Sequence, residues 1–125
     1  MTLVAALAVF IGVFPITPAD KKLEPPLRLV AFPRIVQASP DTWVRATIFV
    51  PRDKRNSGLY LQWWIGDSGE YGLSYWDLDG DSPAQYVKRI KHVSSRGLLI
   101  IRATLVRVIG GKFRGTKVEA VVEIH

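Results

Sequence analysis

The sequence predicts an all-β chain, folded as an antiparallel sandwich of about seven strands and preceded by a short apolar segment. Three observations lead there. Apolar and polar residues alternate at period two through most of the chain beyond residue 26, no stretch there carries helical spacing, and turn residues recur at the roughly 8–12-residue interval of short sandwich strands.

The first element, residues 3–14, is an uncharged apolar run closed by Pro15 and followed by Thr17, Pro18, Ala19 and the charged Asp20, Lys21 and Lys22. It is shorter than the roughly 20 apolar residues a helix needs to cross a hydrocarbon core, and it fits the apolar region of a signal peptide. Thr17 and Ala19 form a small-x-small pattern ahead of a cut after Ala19. Residues 1–26 are therefore read as a signal peptide or apolar N-terminal segment with a Pro-rich linker, and residues 27–125 as the sandwich domain. The expected location is secreted or cell surface. A retained anchor, and a retained segment buried against the chain or inserted into a partner, are the alternatives.

Residues 27–36 supply a first strand, bent or broken at Pro33. Val44, Ala46, Ile48 and Val50 alternate with Trp43, Arg45, Thr47 and Phe49 in a second strand that Pro51 ends. The polar stretch 52–58 reads as a loop. In 59–65, Leu61, Trp63 and Ile65 face one way and Tyr60, Gln62 and Trp64 the other, so one of the two tryptophans anchors the core. A turn over 66–72 leads to a short strand over 73–76, and 77–83 carries turn chemistry throughout. Residues 86–93 form a strand whose apolar face is interrupted by Lys88, Arg89, Lys91 and His92, which suits a sheet edge. Residues 98–109 form a long central strand with Leu99, Ile101, Ala103, Leu105 and Ile109 on one face, and Gly110 and Gly111 turn the chain. The last strand shows the clearest alternation, with Val118, Ala120, Val122 and Ile124 set against Lys117, Glu119, Val121 and Glu123.

Composition narrows the chemistry. Cysteine is absent, which rules out disulfide staples and any cysteine-based metal or nucleophile site. The net charge is +6, yet no Lys or Arg stands between Asn56 and Val87, while Asp67, Glu70, Asp77, Asp79 and Asp81 do. The domain is thus expected to be dipolar, which argues against a uniform electrostatic footprint for nucleic acid.

The Pro-rich entry, the aromatic strand over 59–64 and the Gly97-led segment 97–105 after a charged strand resemble the bacterial immunoglobulin-like and fibronectin type III-like sandwiches. The aromatic strand corresponds to the third strand of those domains and the Gly97 segment to the penultimate one. The chain departs from antibody-type domains in lacking the cysteine pair and the tyrosine-corner motif. The resemblance implies an immunoglobulin-like antiparallel β-sandwich over about residues 25–125 that binds, spaces or assembles, with no catalytic residue and no cofactor.

Candidate site residues follow from the aromatic density between positions 60 and 76. Tyr60, Trp64, Tyr71, Tyr75 and Trp76, in an acidic and glycine-bearing stretch, form a candidate surface for stacking on a sugar or docking on a protein, because rigid rings give contact area at little entropic cost. Asp77, Asp79 and Asp81, with Asp67 or Glu70, are calcium candidates, but Gly80 and Lys88 sit at the wrong positions for an EF-hand loop, and a hairpin turn built from Asp and Gly is the plainer reading. His92 has no nucleophile motif beside it in Ser94 and Ser95, and the loop carboxylates Asp67, Glu70 and Asp77 offer no burial to separate their acidities for glycoside hydrolysis. The expectation is a non-enzymatic exported module that binds a protein or glycan at a cell surface, without specific nucleic-acid partners and touching a membrane only through its N-terminal segment. The alternative is a structural subunit of a filament, sheath or virion, self-assembling as its retained residues 3–14 insert into a neighbour.

Overall fold

A computed structural model describes residues 26–125 except 67–68 and 81–83. The expectations for residues 3–14 and for a cut after Ala19 lie outside the described residues, as do Asp67 and Asp81. The described chain is an all-β sandwich of eight strands with no α-helix. We number them β1 (Arg28–Phe32), β2 (Ile35–Val36), β3 (Trp43–Phe49), β4 (Asn56–Ile65), β5 (Tyr71–Asp77), β6 (Gln85–Lys91), β7 (Gly97–Ile109) and β8 (Lys112–Ile124).

One sheet runs β1-β3-β6 and the other β2-β8-β7-β4-β5. Every pairing is antiparallel except that of β2 with β8. The expected break at Pro33 has a topological role: it releases the chain from the three-stranded sheet after Phe32, and Ile35 and Val36 then join the opposite sheet beside Glu123 and Ile124. As the charge pattern suggested, β6 lies at an edge, and β7 occupies the centre of the five-stranded sheet.

The core is built from the inward parity of each strand. Val44, Ile48, Leu59, Leu61, Leu99, Ile101, Val93 and Val122 are its largest fully buried side chains. Of the adjacent Trp63 and Trp64, it is Trp63 that packs against this core. Its ring lies over Gly72, its cross-strand partner, where a Cβ would stand 2.2 Å from the indole. Gly72 is what admits so large a ring beside the neighbouring strand.

Several boundaries differ from those expected. Strand β4 begins at Asn56, inside the expected loop, and its register against β7 shifts between Asn56 and Gly58. The inward face of β7 does not continue to Ile109, which is exposed; Arg107 takes the intervening inward position and turns to polar partners. The segment after Asp77 is not a hairpin turn either. Strands β5 and β6 belong to different sheets, so this segment carries the chain across the sandwich. Gly80 adopts φ +89 there, with the backbone of Lys54 so near that a Cβ would meet its Cα at 2.9 Å.

A polar knot closes this end. Asp53 accepts hydrogen bonds from the Arg55 backbone N–H at 2.8 Å and from Arg55 Nε and a terminal guanidinium nitrogen at 2.8 and 2.6 Å. Arg107 stands 3.8 Å from the same carboxylate and donates through Nε to Asn56 Oδ1 at 2.8 Å. Asn56, a buried polar residue, donates through Nδ2 to the Pro51 carbonyl at 2.9 Å. The side-chain and backbone donors of Arg55, with Arg107 nearby, hold the Asp53 carboxyl well below the usual carboxylate range.

Candidate binding surface

The outer face of the five-stranded sheet follows from strand parity and register. On β4 it presents Tyr60, Gln62 and Trp64, and on β5 Tyr71, Leu73 and Tyr75. Pairing sets Trp64 between Tyr71 and Ile100, Gln62 between Leu73 and Arg102, and Tyr60 between Tyr75 and Thr104. Strand β8 adds Val121, Glu119 and Lys117 to the same three rows.

Four of the five aromatic residues singled out from the sequence, Tyr60, Trp64, Tyr71 and Tyr75, therefore share this face. Trp76 does not join them. It has the opposite parity, packs against the core and lies 5.4 Å from the Tyr86 ring of the other sheet. Leu73 joins the face by parity with Tyr71 and Tyr75, whereas Ile100 and Val121 join it only through register.

The four rings are held in place by their own neighbours. Tyr60 and Tyr75 lie 4.6 Å apart at an interplanar angle of 47°, a tilted pair of the kind aromatic quadrupoles favour. The Tyr75 hydroxyl donates to Asp77 Oδ1 at 2.6 Å, which pushes its pKa up to about 12. Gln62 donates to the Tyr71 hydroxyl at 3.0 Å. Arg102 lies 5.1 Å above the Trp64 ring while bridging Glu119 at 2.7 Å. Gly58 opens a hollow of 430 Å³ with Tyr60, Tyr75, Val106 and Phe113, because a Cβ there would stand 2.8 Å from the Tyr75 ring. Arg102 and Lys117 are balanced on this face by Asp77, Glu119 and Glu123.

The remaining candidates scatter. Asp77 is engaged by Tyr75, and no group of three or more metal-ligating side chains gathers among the described residues. His92 follows β6 with φ 60, its Nδ1 2.9 Å from the Pro40 carbonyl oxygen. The Ser95 hydroxyl donates to the Glu70 carboxylate, not to His92.

A second surface was not anticipated. The outer face of the three-stranded sheet aligns Phe32, Arg45 and Arg89 in one row, Val30, Thr47 and Val87 in the next, and Arg28, Phe49 and Gln85 beyond, with Trp43 and Lys91 at the far end. Its strand residues carry four cations and no acid. The odd parity of Arg28 and Arg45 within their strands was the available signal; that they meet Arg89 was not readable.

No family model, curated protein or solved structure matches the chain.

Proposed function

We propose that this chain is a non-enzymatic, exported interaction module that binds a protein at a cell surface through the outer face of its five-stranded sheet. One observation carries the reading: Tyr60, Trp64, Tyr71 and Tyr75 share one face, and each is already held by a ring, amide, carboxylate or guanidinium neighbour. Rings ordered before binding lose little entropy on contact, and buried aromatic anchors dominate interface energetics. The sheet orders β1-β3-β6 and β2-β8-β7-β4-β5, with the first strand divided between sheets, support an immunoglobulin-like reading of the sandwich.

The test applies fluorescently labelled chain to intact cells of its source. Protease treatment of the cells is expected to abolish binding, and Tyr60→Ala with Tyr75→Ala to weaken it by roughly tenfold or more. Binding that survives protease but not periodate assigns a glycan instead. Unchanged binding of the double variant overturns the reading.

A second reading, a structural subunit that retains residues 3–14 and inserts them into a neighbour, is supported by the free edge of β5. That strand has a single sheet partner, β4, among the described residues.

A further inference from the structure

Each sheet ends in strands whose outer backbone groups have no partner strand among the described residues, and proteins usually blunt such edges with charge, proline or brevity. Three of the four edges here are protected in that way. Strand β6 carries Lys88, Arg89 and Lys91, β1 lies between Pro26 and Pro33, and β2 has two residues. Strand β5 is different. Its sequence Tyr-Gly-Leu-Ser-Tyr-Trp-Asp holds no Lys, Arg or Pro and a single acid, at its end.

The orientation of its backbone follows from the bonds that bracket the β4–β5 ladder. Ile65 N–H donates to Glu70 C=O at 3.1 Å and Leu78 N–H to Ser57 C=O at 3.1 Å. Antiparallel alternation between these points turns the N–H and C=O groups of Gly72, Ser74 and Trp76 toward β4, and those of Tyr71, Leu73 and Tyr75 toward the open edge. Beside this edge the sandwich has a gap. A cleft of 360 Å³ runs between the sheets, lined by inward-facing apolar residues, among them Ile65, Ile90 and Leu99, and also by Glu70, Lys91 and His92. The inward residues of β5 beside it include Gly72, whose space the Trp63 ring fills, and the small Ser74.

We propose that the edge of β5 accepts residues 3–14 of a neighbouring copy as a sixth strand, with alternate side chains of the donated segment entering the cleft. This rests on the reading in which the segment is retained. The donor chemistry matches both features: the segment is uncharged, rich in Val, Ile, Leu and Phe, and, at roughly 3.3 Å per residue, longer than the seven-residue edge it would cover. An acidic or basic strand would set a further charge against the apolar part of the cleft; this one carries none. Its tether points to a neighbour as the source. The chain that follows the segment enters the fold at β1, which packs beside β8, on the far side of the sandwich from β5.

The absence of native cysteine makes the test direct. One population carries Val9→Cys, Phe10→Cys or Ile11→Cys, and a second, mass-tagged population carries Leu73→Cys, with Val87→Cys on the other sheet as control. Mixing and oxidation are expected to join the two populations through Leu73→Cys and not through Val87→Cys. No such product, or an equal one at Val87→Cys, overturns the proposal. In a chain carrying both Val9→Cys and Leu73→Cys, a bond formed within the chain in place of one between chains overturns the assignment to a neighbour.

Leu73→Pro provides a second arm. It removes an N–H that β4 does not use, so the fold is retained by near-ultraviolet circular dichroism while assembly at fixed concentration falls roughly tenfold or more. Unchanged assembly of that variant overturns the proposal. The amino-terminal mass of the native chain separates the two levels of failure: a start at Asp20 overturns the retained-segment reading itself, whereas an intact Met1 without a β5 cross-link overturns only the assignment of the edge.

Discussion

The two outer faces of the sandwich are built on one core and both expose aromatic and aliphatic side chains, but they treat charge in opposite ways. On the three-stranded face Arg28 lies 4.2 Å over Phe49, Arg89 4.4 Å over Trp43 and Arg45 5.6 Å over Phe32, and no strand residue offers those guanidiniums a carboxylate. On the five-stranded face Arg102 covers Trp64 while bonded to Glu119, and the three tyrosines are tied by a ring contact, an amide and a carboxylate. Rings on the first face are covered by cations that no strand residue neutralises. Rings on the second are fixed and electrically balanced, the condition in which a surface can enter a desolvated interface without stranding a charge. The difference teaches that exposure of aromatic residues does not by itself define a binding surface; the partners of the neighbouring charges decide.

The comparison can be broken at the packing beneath each face. Gly72→Ala would drive a methyl group into the Trp63 ring, and the overpacking is expected to cost about 1–3 kcal/mol in denaturant melts. Thr47→Ala on the opposite outer face should stay within about 0.5 kcal/mol. Equal costs would show that the Trp63 ring gives way to the added methyl group.

Asp53→Asn comes next, with an expected loss of about 1 kcal/mol at neutral pH. Because folding depresses the Asp53 pKa, its contribution is complete above the ordinary aspartate value of about 3.9 and fades as pH falls below it. The stability difference between wild type and variant should therefore shrink on acidification below that value. A constant difference would place the role of Asp53 in its shape alone.

Charge on the faces themselves has smaller consequences for stability and larger ones for retention on a cation exchanger. Arg45→Gln with Arg89→Gln is expected to elute at distinctly lower salt than Arg102→Gln with Lys117→Gln, although both remove two charges, because Glu119 and Glu123 already offset the second pair. Identical elution would erase the distinction between the faces. The smallest effect is local. Tyr75 should ionise near pH 12 by ultraviolet difference absorption, and Asp77→Asn should bring it back toward the ordinary value of 10.0. The raised value means that the hydroxyl–carboxylate bond is complete below the ordinary tyrosine value and lost as pH rises through the shifted one.

Much of the fold was legible because inward and outward parity is a local property. Trp63 and Trp64 are adjacent in sequence, and their separation to core and surface follows from period two alone; so does the company of Tyr60 with Trp64. Pro33 and the paired glycines after β7 marked a strand break and a turn in advance. Trp76 shows where such reading stops. It lies one residue from Tyr75 and was grouped with it by composition, yet the pleat sends it inward to Tyr86. The supposed hairpin after Asp77 failed for a different reason: the same Asp and Gly residues that close a hairpin also serve a crossover, and only the sheet assignment of β6 separates the two.

What the amino-acid order determined by itself was a set of two-faced strands, their approximate limits, the absence of covalent staples and the segregation of acid from base along the chain. What the tertiary structure alone decided was adjacency: that Arg28, Arg45 and Arg89 converge from three strands, that Ile100 and Val121 complete the aromatic face, that Asp53, Asn56 and Arg107 close one end, and that β5 is an edge. The physical reason is that side-chain parity is set by the pleat of a single strand, whereas neighbours across a sheet are set by hydrogen-bond pairing between segments far apart in the chain. An edge is the limiting case, since it is defined by the strand that is not beside it.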